Sequence, residues 1–151
     1  MTAAAARGRG PFVWRRRVAM RDVDAFDVVW YGNYLGYCDE ARAELMRAFG
    51  LPPSRFADLG YAVAVVEASC RYHAPARFDD EIDVHVRIAD VRGSKLRFDF
   101  EVRRGDETLL ARISTTLVLL RRNGDLVYLL PEPFAGMVEQ IVAAQSAPRP
   151  T

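Results

Sequence analysis

Lysine is nearly missing from this 151-residue chain: Lys95 stands alone, and arginine supplies the rest of the 21 basic side chains. No excess of either charge exists, because 20 acidic residues bring the formal net charge to +1. That balance removes any global pull toward nucleic acid or an anionic membrane surface. Two cysteines, Cys38 and Cys70, cannot build a disulfide framework. Two histidines leave little for a metal centre. No apolar run approaches the roughly 20 residues of a membrane-crossing helix. The opening MTAAAARGRG lacks the apolar core of a secretory signal. These absences predict a cytoplasmic protein with reduced thiols and no membrane insertion.

Half of the residues are hydrophobic, which excludes a disordered chain. The length suits one domain of ordinary size. Apolar periodicity is missing at both ends, so residues 1–10 and 146–151 read as tails around a single domain at 11–145.

Within that domain Phe12 to Met20 reads as a first strand, and Arg21 to Tyr31 as a loop. Tyr34, Cys38, Ala41, Leu45 and Phe49 then recur at steps of three or four, which predicts an amphipathic helix from about Asn33 to Phe49. Asn33 is placed to cap its start, and Gly50 with Pro52 and Pro53 to stop it. Strands take over from Tyr61. Ile82, Val84, Val86 and Ile88 alternate with charged residues, as do Leu96, Phe98, Phe100 and Val102. Period two with one dry face predicts antiparallel strands covered on one side. Leu109 to Leu120, apolar on both faces, reads as a central strand. Asn123-Gly124 turns into a short last strand, Leu126 to Leu130, and Pro131 opens a closing helix. The result is an α+β domain in which the sheet wraps the long helix. Its open edges invite a second copy.

The densest polar cluster precedes the long helix, where Asp22, Asp24 and Asp27 are followed by aromatic residues and a helix start. The first amides of a helix are unpaired and can hold a developing oxyanion. A nearby carboxylate can attack a carbonyl or activate water. Aspartates in that position also serve as ordinary caps.

Three blocks carry a family resemblance. Asp22-x-Asp24 with Val28-Val29-Trp30-Tyr31-x-Asn33-Tyr34 and Glu40-Ala41-Arg42-x-Glu44 forms the first. Tyr72 to Asp80 and Val91 to Leu96 form the others. Together they resemble the hotdog-fold acyl-CoA thioesterases, in the 4-hydroxybenzoyl-CoA and Tol-Pal-associated branch. The resemblance implies a long helix wrapped by a five- to six-stranded antiparallel sheet, assembled as a homodimer or homotetramer. It places the catalytic carboxylate at Asp24, as nucleophile or general base, and the carbonyl-polarising amide at Tyr31. It assigns Asn33, Arg92, Ser94 and Lys95 to substrate binding, the last three beside the nucleotide of coenzyme A. No cofactor or metal is implied. Two positions depart from the family pattern. Tyr31 stands where a histidine is common in the Tol-Pal-associated branch, which brings the chain closer to the 4-hydroxybenzoyl-CoA type. Asp27 stands where a glycine is usual, and is expected to point to solvent.

Other groupings carry less. Cys70 and His73 fall on opposite faces of a strand. His85 shares a wet face with Asp83 and Arg87, and Cys38 belongs to the core stripe. Arg15-Arg16-Arg17 reads as a solvated face. Phe26, Trp30, Tyr31 and Tyr34 could line an acyl pocket or the core. No paired His and Glu in the long-helix region supports a dehydratase. The expected activity is acyl-CoA hydrolysis. Hydrolysis of acyl-carrier-protein thioesters and a non-catalytic acyl-CoA-binding module are the alternatives.

Overall fold

A computed structural model describes residues 10–146. The first tail, all but residue 10, and residues 147–151 of the second lie outside the described residues. Among those described, strand β1 (Phe12–Arg17) leads through one 3-10 turn (Met20–Asp22) and a loop into helix α1 (Asn33–Ala48). Strands β2 (Tyr61–Tyr72), β3 (Glu81–Arg92), β4 (Lys95–Arg104) and β5 (Thr108–Arg121) follow, and helix α2 (Phe134–Ser146) closes the domain. The five strands form one antiparallel sheet in the order β1-β3-β4-β5-β2.

The alternation that predicted β3 and β4 sets the core. Val84 faces Val102, Val86 faces Phe100 and Ile88 faces Phe98, all buried. Against this dry face lies the stripe of α1, with Tyr34, Tyr37, Cys38, Ala41 and Leu45 all buried. The ladder between β3 and β4 slips after Ile88. The pairing of β3 with β1 ends at Val86, and beyond it the Gln145 side chain accepts from Ile88 N at 2.9 Å and donates to Ile88 O at 2.6 Å. Phe134 of α2 packs edge-on against Phe56 and Tyr61, sealing one end.

Five expectations need correction. The first strand stops at Arg17, because a 3-10 turn begins at Met20, whose side chain is exposed. Arg16 is buried rather than solvated, since the buried Asp22 and the surface Glu40 of α1 receive its guanidinium. Asn33 does not cap α1; Gly32 holds that position without a side-chain bond. Leu126 to Leu130 makes a single bridge, Leu126 to Leu120, and no strand. Helix α2 runs through Ser146. The strand β5 is internal but alternates, its outer face carrying Arg112, Ser114 and Thr116. That leaves β4 in the middle and β2 on an edge, with Val63, Val65 and Val66 exposed.

Candidate active site

The loop before α1 is built on a buried ionic hub. Asp22, only 7% exposed, accepts through Oδ2 from Arg16 Nη2 at 3.1 Å, Tyr37 Oη at 2.9 Å and the Ala19 amide at 2.9 Å. Arg16 also donates to Glu40 Oε2 at 2.8 Å, and its guanidinium lies 4.6 Å from the centre of the Tyr37 ring. Burial, and then the bond to Asp22, raises the Tyr37 hydroxyl well above its ordinary value, so it stays a donor. The Asp22 carbonyl accepts from the Trp30 amide at 3.0 Å and from Asn33 Nδ2 at 2.7 Å. The hub therefore joins β1, the loop and the first turns of α1.

From this hub the chain folds back on itself. Val23 bridges Val29, the Asp24 amide donates to Val28 O at 2.9 Å, and the Asp27 amide donates to Asp24 O at 3.1 Å. Asp27 is exposed and takes φ 63°, in the left-handed region that glycine favours and aspartate tolerates. The departure from the family glycine is thus absorbed by the turn. Asp24 is half-buried. Its Oδ1 accepts from the Phe26 amide at 2.8 Å.

After this loop α1 begins. Among the described residues the Tyr31 and Gly32 amides take no backbone acceptor. The Trp30 indole lies over Gly32, where any Cβ would come within 2.3 Å of the ring. Tyr72, at the end of β2, donates from Oη to Tyr31 O at 2.8 Å and packs edge-on against Tyr31 and Tyr34. Burial, followed by its interaction with Cys70, pushes the Tyr72 hydroxyl up to about 12. The loop that carries a half-buried carboxylate thus leads into a helix start whose first amides are unpaired and flanked by aromatic rings.

The remaining candidates separate. Asn33 is committed to the Asp22 carbonyl. Arg92 and Lys95 flank the β3–β4 turn and line a surface groove of about 500 Å³, whereas Ser94 between them is buried, facing apolar side chains that include Met46 and Leu96. Lys95 pairs with Val118, and Val118 with Ala64 on β2. Ala64 and Tyr72 are eight positions apart on that strand, or about 26 Å at the usual strand rise. One protomer therefore does not bring the cations to Asp24. Cys38 is core, its thiol raised by burial. Among the described residues no group of three or more His, Cys, Asp or Glu could hold a metal. No described helix is long and apolar enough to cross a membrane. Sequence reasoning missed Arg16, Tyr37 and Tyr72 as parts of the site's framework. Only the three consecutive arginines hinted at the first.

A long helix wrapped by a five-stranded antiparallel sheet is the hotdog fold. The profile of the thioesterase superfamily matches residues 26–111, more than half of the chain, and the chain belongs to that superfamily as a thioester hydrolase. A putative esterase of Aquifex aeolicus (strain VF5) is 33% identical over 117 residues, 78% of this chain and 90% of the relative. The acyl-CoA thioester hydrolase YbgC of Escherichia coli O157:H7 is 30% identical over 107 residues, 71% of this chain and 80% of its own. Among solved structures, the 1,4-dihydroxy-2-naphthoyl-CoA thioesterase Slr0204 of Synechocystis superposes with a TM-score of 0.80. It is 26% identical, and the match covers 87% of this chain and 98% of that one.

Proposed function

We propose that this protein hydrolyses acyl-CoA thioesters to a free acid and coenzyme A, with Asp24 as the reacting carboxylate. The observation that supports the reading is that the loop holding the half-buried Asp24, locked by the Asp22 hub, runs directly into the start of α1, where the Tyr31 amide takes no backbone acceptor. That amide polarises the thioester carbonyl and holds the oxyanion. Asp24 either adds to the carbonyl carbon, expelling the thiolate and leaving an anhydride for water to open, or takes a proton from an attacking water. Both routes consume one water and release one thiol. Tyr31 in place of a histidine leaves no imidazole at that position, which favours the 4-hydroxybenzoyl-CoA branch over the Tol-Pal-associated one.

The working unit is a homodimer in the cytoplasm. An unpaired edge of β2 with three exposed valines calls for cover. Two copies related by a two-fold axis would pair their β2 edges antiparallel. That pairing sets the Ala64 end of one strand beside the Tyr72 end of the other. The cations of one protomer then approach the Asp24 of the next, and the separation within one chain is resolved.

The test is release of free thiol from a panel of short, long and aromatic acyl-CoA esters. The parent protein hydrolyses at least one of them, and Asp24→Asn loses most of that rate, about a hundredfold or more on the scale of a lost catalytic acid–base group. Equal rates for parent and variant overturn the assignment.

A further inference from the structure

The segment after β5 carries three exposed apolar side chains, Leu126, Tyr128 and Leu129. Tyr128 is 82% exposed, which for a tyrosine standing alone needs no explanation. Its position is informative. Leu126 bridges Leu120, and Lys95 pairs with Val118, so residues 126–128 continue the lane of β4 beyond its first residue. That course runs Tyr128 against the β3–β4 turn. A Cβ on Gly93, where φ is +60°, would lie 2.4 Å from the Tyr128 carbonyl oxygen. Glycine alone lets the two segments meet.

The same turn carries Arg92 and Lys95. Lys95 has no carboxylate partner among the described residues. Arg92 bonds to Asp90 through Nε at 2.9 Å, which leaves the outer N–H groups of its fork available. An exposed aromatic ring on the segment that meets the turn bearing two such cations matches the two needs of a nucleotide, a flat face for the base and positive charge for the phosphates.

We propose that Tyr128 is the platform on which the purine of coenzyme A stacks while Arg92 and Lys95 hold its phosphates. The inference rests on the acyl-CoA reading and extends it to the far end of the substrate. It also selects between substrates. A pantetheine arm borne on a carrier protein has no purine, so the platform favours coenzyme A esters over carrier-protein esters.

The test compares parent, Tyr128→Ala and Tyr128→Phe, using titration with coenzyme A and hydrolysis of one acyl group on coenzyme A and on N-acetylcysteamine. Tyr128→Ala weakens coenzyme A binding and raises KM for the coenzyme A ester by about tenfold, within the range for a lost base–aromatic stack. Its rate on the N-acetylcysteamine ester stays at the parent level, and Tyr128→Phe behaves as the parent. Unchanged coenzyme A affinity in Tyr128→Ala overturns the platform. So does an equal loss on both esters or a change in oligomeric state, since either marks a structural role. A parent that fails to bind coenzyme A overturns it as well. Coenzyme A affinity that depends on Tyr128, with no hydrolysis of either ester, keeps the platform and defeats the hydrolase reading.

Discussion

Arg16 and Asp22 lie six residues apart, both at least nine-tenths buried, and meet at 3.1 Å where β1 gives way to the loop that carries Asp24. Tyr37, Glu40 and the Ala19 amide add further bonds to the pair, while Arg16 Nε is buried without a partner. A buried ion pair of this kind adds little stability over an apolar substitute, but breaking it is expensive. Its contribution here is geometric: it ties the end of β1 and the loop that carries Asp24 to the first turns of α1.

Replacing Asp22 by Asn leaves the Arg16 guanidinium buried with one charged partner gone. Loss of one member of a buried pair costs about 3–5 kcal/mol, and in a domain of this size about 2–4 °C of Tm follows each kcal/mol. Thermal melts should show a fall on the order of 10 °C. Arg16→Met combined with Asp22→Asn should recover part of that loss, because no unpaired charge remains inside.

Tyr72→Phe removes the hydroxyl that holds the Tyr31 carbonyl. A lost hydrogen bond of about 1 kcal/mol should lower kcat about fivefold, with KM little changed. The folded hydroxyl, pushed up to about 12, stays protonated across the working range. Because the folded value lies above the unfolded one, its contribution to stability is complete below about pH 10 and fades as pH rises. Melts above about pH 10 should therefore decline more gently in Tyr72→Phe than in the parent.

Val65→Lys places a charge on the open edge of β2, where the parent exposes a valine. Edge lysines block strand pairing between chains. Size-exclusion chromatography with light scattering should show a dimer for the parent and a monomer for the variant. Hydrolysis should fall with the dimer, since the proposed pairing brings the cations and Asp24 together across the axis. A monomeric parent with full activity would refute the paired-edge assembly.

Glu101 sits on the outer face of the sheet between Arg103 and Arg112. Burial raises its carboxyl, but the bonds and charge of Arg103, then Arg112 and His85, outweigh burial and hold it below the usual 4.5. A depressed folded value means stability present above about pH 4.5 and lost as pH falls through the folded value. The site is partly exposed and screened, so the effect is small. The acid slope of Tm below about pH 4.5 should flatten in Glu101→Gln.

Strands β3 and β4 and the body of α1 were legible because their side chains obey one period over many residues, and burial enforces that period. The boundaries that failed lie where tertiary contacts outweigh pattern. Arg16 interrupts the apolar face of β1 and looks solvated in sequence, yet Asp22 and Glu40 receive it from loop and helix. Asn33 has the chemistry of a cap, yet the Asp22 carbonyl lies within its reach and takes its amide. Leu126 to Leu130 has strand composition, but only one bridge forms before the chain turns away.

What the residues determined by themselves was the wrapped helix, the dry sheet face and the block around Asp24, since each depends on local spacing or on a run of adjacent residue types. Which polar groups are neighbours was decided only in three dimensions. Arg16, Asp22 and Tyr37 become one hub, Tyr128 meets Gly93, and Lys95 ends far along β2 from Tyr72. Such contacts join segments distant in the chain, and their energies depend on burial and geometry that no linear pattern encodes.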